Sequence, residues 1–202
     1  MKAYWSDVFT SFLEGYSQNE TPNPDILCNT HIKFGTLLDT CLAGEKDLYL
    51  ATGHYCGVQS VQGQHQLLRG VDPQKDQSYF LSAVNRAALA RVLFPLSGMH
   101  KAQVKAIAEK EIGLPAIAAQ AESMGICFIG KRRRFADFLA QYLPTTGKGP
   151  LVDALTQKHL GEHSGVIFHT IGQGARIGGL TERYFVLRKD LATNTVHVVP
   201  SR

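Results

Sequence analysis

Asp47-Leu48-Tyr49-Leu50-Ala51-Thr52-Gly53-His54 decides the fold class. The run is short, mostly apolar and stopped by a glycine, the pattern of a strand buried on both faces of a parallel sheet. Ligand loops commonly follow the carboxyl end of such strands. Gly53 and His54 therefore stand where a phosphate or a base could approach the backbone, although a loop histidine also reads as a plain polar residue. Helical patterns lie upstream. Tyr4, Val8, Phe9, Phe12, Leu13 and Tyr16 recur at helical spacing over residues 3–17. Asn29 is placed to cap a second helix running to Leu42, with Ile32, Leu37, Leu38 and Cys41 as its buried stripe. Helices around a buried strand make the chain α/β.

Downstream, 55–61 and 64–69 flank Gly63 as a hairpin, Asp76 can cap a helix through Leu81, and helices are predicted over 85–92 and 100–112. Composition shifts at Lys131-Arg132-Arg133-Arg134, a basic run that reads as a solvated face or as a set of phosphate contacts. A helix over 134–142 and a Gly/Pro/Thr loop over 144–150 follow. Strand-like alternation then covers 151–152, 165–170, 184–188 and 195–199. The expected division is 1–130, the later part of a larger α/β domain, and 131–202, a small mostly-β domain.

The 202 residues are 44% hydrophobic and 19% charged, ordinary for a globular chain, and the net charge of +4 permits an anionic partner without requiring one. Cys28, Cys41, Cys56 and Cys127 show no CxxC and no metal-ligand spacing, and no secretory signal or long apolar run is present, so thiols in a reducing compartment are expected rather than a disulfide framework. No metal site is expected, and no membrane partner.

Two of these thiols stand in contexts that suggest chemistry. Thr21-Pro22-Asn23-Pro24-Asp25-Ile26-Leu27-Cys28-Asn29 carries two prolines that lock φ and stiffen the backbone, then a carboxylate and a thiol. A cysteine acts as nucleophile or sulfur carrier only as thiolate, and a helix start just after Cys28 would favour that form. Asp25 is placed to act as general acid or base. The same residues also read as a turn aspartate and a half-buried apolar cysteine. Cys127 lies between Gly125 and Gly130, glycines that allow close approach, or it is a buried strand cysteine. Lys75-Asp76-Gln77 offers a cation, an acceptor and an amide, or merely opens a capped helix.

Taken together, in order, Thr21–Asn29, Ala51–Tyr55, Lys75–Leu81, Phe94-Pro95-Leu96, Glu122–Gly130, Phe138–Pro144, Gly161-Glu162-His163 and Thr170–Gln173 resemble the tRNA-specific 2-thiouridylases over nearly the whole chain. Gly130–Arg133 and Ala175–Leu180 look more like the eukaryotic, mitochondrial branch. The resemblance implies a partial Rossmann-like ATP-pyrophosphatase (PP-loop) domain followed by a small mostly-β central domain. It implies ATP, with Mg2+, adenylating C2 of a wobble uridine, and a persulfide on Cys127 supplying sulfur. Cys28 would release sulfide and pair with Cys127 in a disulfide, and Asp25 would be the acid/base. Asn23, Pro24 and Asp25 would touch the target base, His54, Lys75, Asp76 and Gln77 the tRNA, and Gly53 the ATP. An upstream sulfur-relay protein would load the persulfide of a monomeric enzyme in the mitochondrion. An iron–sulfur cluster on the thiols is a third, less favoured reading.

The 202 residues hold no Ser-Gly-Gly-x-Asp-Ser pyrophosphate loop and no C-terminal β-barrel, and they carry Gln173-Gly174 where the family usually has Gln-Arg. A shortened form is therefore expected. The alternative is a non-catalytic, tRNA-binding product.

Overall fold

The structure, a computed structural model, describes residues 2–121, 135–144 and 146–201. Cys127, the rest of the 122–130 motif and the basic run 131–134 lie outside the described residues. Two compact units are present: Met1–Phe9 with Asn23–Phe128, and Thr10–Pro22 with Ile129–Arg202. The helix expected over 3–17 forms as Lys2–Tyr4, a wide-turn (π) segment Trp5–Thr10, and Ser11–Ser17.

In the first unit the second helix begins earlier than its sequence suggests. Helical segments follow one another at Pro24–Leu27, Cys28–Leu37 and Leu38–Cys41. The cap is Asn23, not Asn29. Asn23 Oδ1 accepts from the backbone N–H of Asp25 (3.0 Å) and Ile26 (3.4 Å). Pro24, in the first helical position, has no N–H to leave orphaned, and its φ is preset for a helix. Pro22 and Pro24 therefore stiffen the entry to a helix, and Cys28 sits one turn inside it rather than just before its start. Asn29 is buried instead, and its Nδ2 donates to the Phe80 carbonyl at 3.0 Å. Gly35 (φ −111°, ψ −108°) breaks the regular turn. A Cβ there would meet Thr30 O at 2.9 Å, so glycine lets that carbonyl approach.

The strands of this unit are β1 (Leu50–Ala51), β2 (Cys56–Val61), β3 (Gln64–Arg69) and β4 (Val92–Leu93). β1 and β4 pair in parallel, Leu50 opposite Val92 and Ala51 opposite Leu93. The helix expected over 85–92 is confined to Arg86–Leu89, because the chain must extend at Val92 to pair with β1. Arg91 fastens the turn, its guanidinium donating to the Leu48 carbonyl (2.8 and 3.0 Å) and to that of Glu45 (2.6 Å). β2 and β3 form the expected hairpin, closed by Gln62 and Gly63, both at positive φ, the conformation that suits a tight two-residue turn. Asp76 precedes only a short 3-10 turn, Ser78–Leu81, and the helix expected over 100–112 spans Lys101–Lys110. Phe34, Leu38, Cys56, Leu81, Val84, Leu89, Val92 and Phe94 make the core.

The second unit is a five-stranded sheet of β5 (Gly149–Asp153), β6 (His159–His163), β7 (Gly174–Ala175), β8 (Tyr184–Asp190) and β9 (Thr195–Pro200). Its order is β6-β5-β9-β8-β7, with β5 and β9 parallel and the other pairs antiparallel. Val166, Val186, Val196 and Val198 centre its core with Leu151 and Ile167. The strand expected over 165–170 is a 3-10 turn at Val166–Phe168. Gly165 permits it, since a Cβ there would strike the Phe168 ring at 2.9 Å, and His163 Nδ1 accepts from the Gly165 N–H at 3.1 Å. The helix expected over 134–142 is described as Phe135–Leu139. Among the described residues, no helix is long and apolar enough to cross a membrane.

Candidate functional site

Asp25 and Cys28 stand three residues apart across the first helical turn after Asn23, a spacing that puts both on one face. Cys28 and Cys56 are buried, while Cys41 is exposed. Burial raises the Asp25 pKa above the usual carboxylate range, and the positive charge of Lys33 opposes part of that rise. A carboxyl so placed keeps its proton to higher pH than a solvated one, which suits a general acid.

Beyond β1 the chain passes Thr52, Gly53 and His54. Thr52 Oγ1 and His54 Nδ1 are hydrogen-bonded at 2.9 Å. The imidazole lies among aromatic rings, its centroid 5.5 Å from that of Phe34 and 6.2 Å from that of Phe94. It is 8% exposed. Burial, helped by Lys33, lowers its pKa to about 4, so the ring is neutral at physiological pH and any contact it makes is a hydrogen bond, not an ion pair. Lys33 thus acts on both Asp25 and His54. Sequence reasoning missed it, and the signal available was its position on the same helix as Asp25. Gly53 has room beside it. A Cβ there would meet only Leu96 Cδ1, at 3.8 Å, so packing within the chain does not require a glycine.

The Lys75-Asp76-Gln77 segment is held by its own side chains. Gln77 Oε1 accepts from the Tyr55 N–H (3.0 Å) and Gln77 N–H donates to the Tyr55 carbonyl (2.9 Å). Asp76 Oδ1 accepts from the N–H of Gly70 (2.9 Å) and Ser78 (3.3 Å), and Oδ2 from Ser78 Oγ (2.8 Å). Burial pushes the Asp76 pKa up, but these hydrogen bonds and the Arg69 charge outweigh it and hold the carboxylate below its usual range. Gly70 is required here. A Cβ would fall 2.6 Å from the Tyr55 carbonyl oxygen. Lys75 lines an open cleft of about 680 Å3 with Asp72, His100, Lys101 and Lys105. Asp72 Oδ2 accepts from the Lys101 N–H (2.9 Å), which leads the causes that lower its pKa.

The first unit therefore carries Asn23, Pro24, Asp25, Cys28, Gly53, His54, Lys75, Asp76 and Gln77, and Asn29 ties the Cys28 helix to the turn that follows Gln77. Cys127 lies outside the described residues. Among those described, no three His, Cys, Asp or Glu side chains converge as a metal site would require.

Residues 1–131 match the family described as "tRNA methyl transferase HUP domain". The chain belongs to that family. Residues 136–200 match a second description, "tRNA methyl transferase PRC-barrel domain". Similar to this member of the HUP-domain family are bacterial proteins named tRNA-specific 2-thiouridylase MnmA. That of Halalkalibacterium halodurans is 48% identical over 200 residues, covering 98% of this chain and 52% of the relative. Those of Pseudomonas paraeruginosa and Pseudomonas syringae are 50% and 49% identical over 201 residues, each covering 96% of this chain and 52% of the relative. The chain spans about half the length of the curated relatives it matches.

Proposed function

We propose that this chain takes part in 2-thiolation of a wobble uridine in tRNA, with sulfur delivered from a persulfide on Cys127. The observation that carries the reading is the Asn23-capped turn, which sets Asp25, its pKa raised by burial, and a buried Cys28 on one helical face. The relatives' name and the resemblance of the Asn23–Cys28 and Glu122–Gly130 motifs supply the reaction.

A carbonyl oxygen is a poor leaving group. Transfer of an adenylyl group from ATP, with Mg2+, lets it depart as AMP, and the uncrowded backbone at Gly53 fits close approach of that nucleotide. This chain's residues supply the rest. Asn23, Pro24 and Asp25 contact the base, which must leave its stack to be reached. Asp25 moves the proton. The terminal persulfide sulfur of Cys127 attacks C2 and AMP departs, and Cys28 then attacks the Cys127 sulfur and breaks the S–S bond to leave 2-thiouridine; or Cys28 attacks the persulfide first and the sulfide it frees displaces AMP from C2. By either route the two thiols end as a disulfide, and a reductant restores them before the next turnover.

His54, Lys75, Asp76 and Gln77 belong to the tRNA-binding surface in this reading, and a sulfur-relay protein reloads Cys127. The address is the mitochondrion, on the resemblance of Gly130–Arg133 and Ala175–Leu180 to the eukaryotic branch; a fluorescent fusion that stays outside mitochondria would refute it. For the activity, protein from the complete reading frame is given tRNA, ATP, Mg2+ and a persulfide donor. Expected are 2-thiouridine by nucleoside mass spectrometry and matching AMP, both dependent on ATP, with no 2-thiouridine from Cys127→Ser. Thiolation persisting in that variant, or tRNA bound without thiolation by the wild type, would overturn the reading.

A further inference from the structure

Tyr79 is 65% exposed, yet the backbone on both sides of it is held by hydrogen bonds. It sits in the 3-10 turn Ser78–Leu81. Before it, Gln77 exchanges hydrogen bonds with Tyr55, and Asp76 grips Gly70 and Ser78. After it, the Phe80 carbonyl accepts from Asn29 Nδ2, and Leu81 is 1% exposed in the core. The Phe80 ring braces that of Tyr79 edge-on, at 5.5 Å between centroids. An aromatic ring left in water forgoes the free energy of burial, and here a rigid turn presents it there. The turn also packs against Pro24–Leu27, which carries Asp25, and Asn29 is the neighbour of Cys28. Lys75, four residues earlier, opens the cleft that gathers Lys101 and Lys105. An exposed aromatic ring a few residues from clustered lysines is a combination that suits unstacked nucleic-acid bases and their backbone.

We propose that Tyr79 is a stacking platform for a nucleobase flanking the target uridine, a positioning residue that holds the unstacked strand while Asp25 and Cys28 meet the uridine. The inference rests on the tRNA reading above. An edge-braced, exposed ring gives a base one open face, so the interaction tolerates any base and tolerates phenylalanine in place of tyrosine. Asp76 and Gln77, whose side chains are spent on the turn itself, act through Tyr79 by fixing its position.

Binding is measured by fluorescence anisotropy with protein from the complete reading frame and a labelled anticodon stem-loop carrying the wobble uridine. The same RNA with 2-aminopurine beside the uridine reports stacking, because a stacked 2-aminopurine is quenched. Tyr79→Ala is expected to weaken binding roughly 5- to 100-fold and to relieve the quench, with the melting temperature unchanged. Tyr79→Phe is expected to keep both. Lys75→Ala is expected to reduce the salt dependence of binding while leaving the quench in place. Wild type that fails to bind the stem-loop would defeat the tRNA reading. Wild type that binds, alongside Tyr79→Ala with equal affinity and equal quench, would defeat this inference alone.

Discussion

The two units hold their backbones by different means. In the second, a five-stranded sheet does the work: β9 runs between β5 and β8, and Val196 and Val198 on it are wholly buried. Among the described residues of the first, the sheets are two separate pairs, one only two residues long on each strand. Side chains hold its loops, with Asn29 gripping Phe80, Gln77 gripping Tyr55, Asp76 gripping Gly70, and Asp72 gripping Lys101. A ladder satisfies backbone groups among themselves and leaves its side chains to pack. The first unit's backbones are held from outside, so its short helical turns and loops can stay fixed while presenting Asp25, Gly53 and Tyr79. Fixed loops on a small packed core are where chemistry is expected.

Five substitutions and pH probe that contrast. The largest effect is expected from Cys28→Ser, a near-isosteric change in the first unit. Thiolation should fall by about three orders of magnitude or more, while thermal unfolding stays close to wild type; a variant retaining a tenth of wild-type rate would break the account of the first unit. Leu81→Ala should cost about 2–5 kcal/mol in chemical denaturation and weaken RNA binding as well, because Leu81 anchors the Tyr79 turn. Val198→Ala in the second unit, wholly buried, should cost about 1.5–3 kcal/mol and leave amide-exchange protection of Tyr55 and Ser78 unaltered. Loss of protection at those amides would show the contrast to be false. Asn23→Ala removes the helix cap and should cost about 1 kcal/mol, with a further loss of rate from misplacement of Asp25. Gly53→Ala, whose Cβ would meet only Leu96 Cδ1 at an ordinary contact distance of 3.8 Å, should change stability by less than about 0.5 kcal/mol but raise the KM for ATP; an unchanged KM would remove Gly53 from the ATP site.

The pH dependence is milder. In the folded chain the His54 pKa lies near 4, below its ordinary value, because of burial and then Lys33. The unfolded chain therefore binds the extra proton first. The stability His54 confers is complete above about pH 6.5 and is lost as pH falls toward 4. His169 in the second unit behaves likewise, lowered to about 4 by burial and by the charges of His163 and Lys189. Acid urea titrations of His54→Phe and His169→Phe should each flatten this loss, and a slope unchanged in both would contradict the assignment.

Local pattern made much of the fold readable. The apolar run ending at Gly53 named β1, and Gly63 between alternating residues named the β2–β3 hairpin. Long-range partners set what was misread. Asn29 looked like a cap because asparagine prefers caps, but its side chain is claimed by Phe80, distant in sequence, and Asn23 caps the helix instead. Val92 fell at the end of a helical pattern, and pairing with β1 drew it into a strand. Residues 165–170 looked extended, and the contacts of Gly165 with His163 and Phe168 folded them into a turn. Among the site residues, Asp25 and Cys28 were visible from the stiff Pro-Asn-Pro segment. The burial of His54 between Phe34 and Phe94, the reach of Lys33 and the exposure of Tyr79 depend on tertiary packing, which no local spacing encodes.

The central claim is that Cys28 and Cys127 act as a pair on one sulfur. A single turnover with persulfide-loaded protein, ATP and tRNA, quenched with an alkylating agent and mapped by peptide mass spectrometry, tests it directly. The account predicts a Cys28–Cys127 disulfide formed in step with 2-thiouridine, and neither product from Cys28→Ser. Full thiolation with both cysteines recovered as alkylated thiols would contradict it.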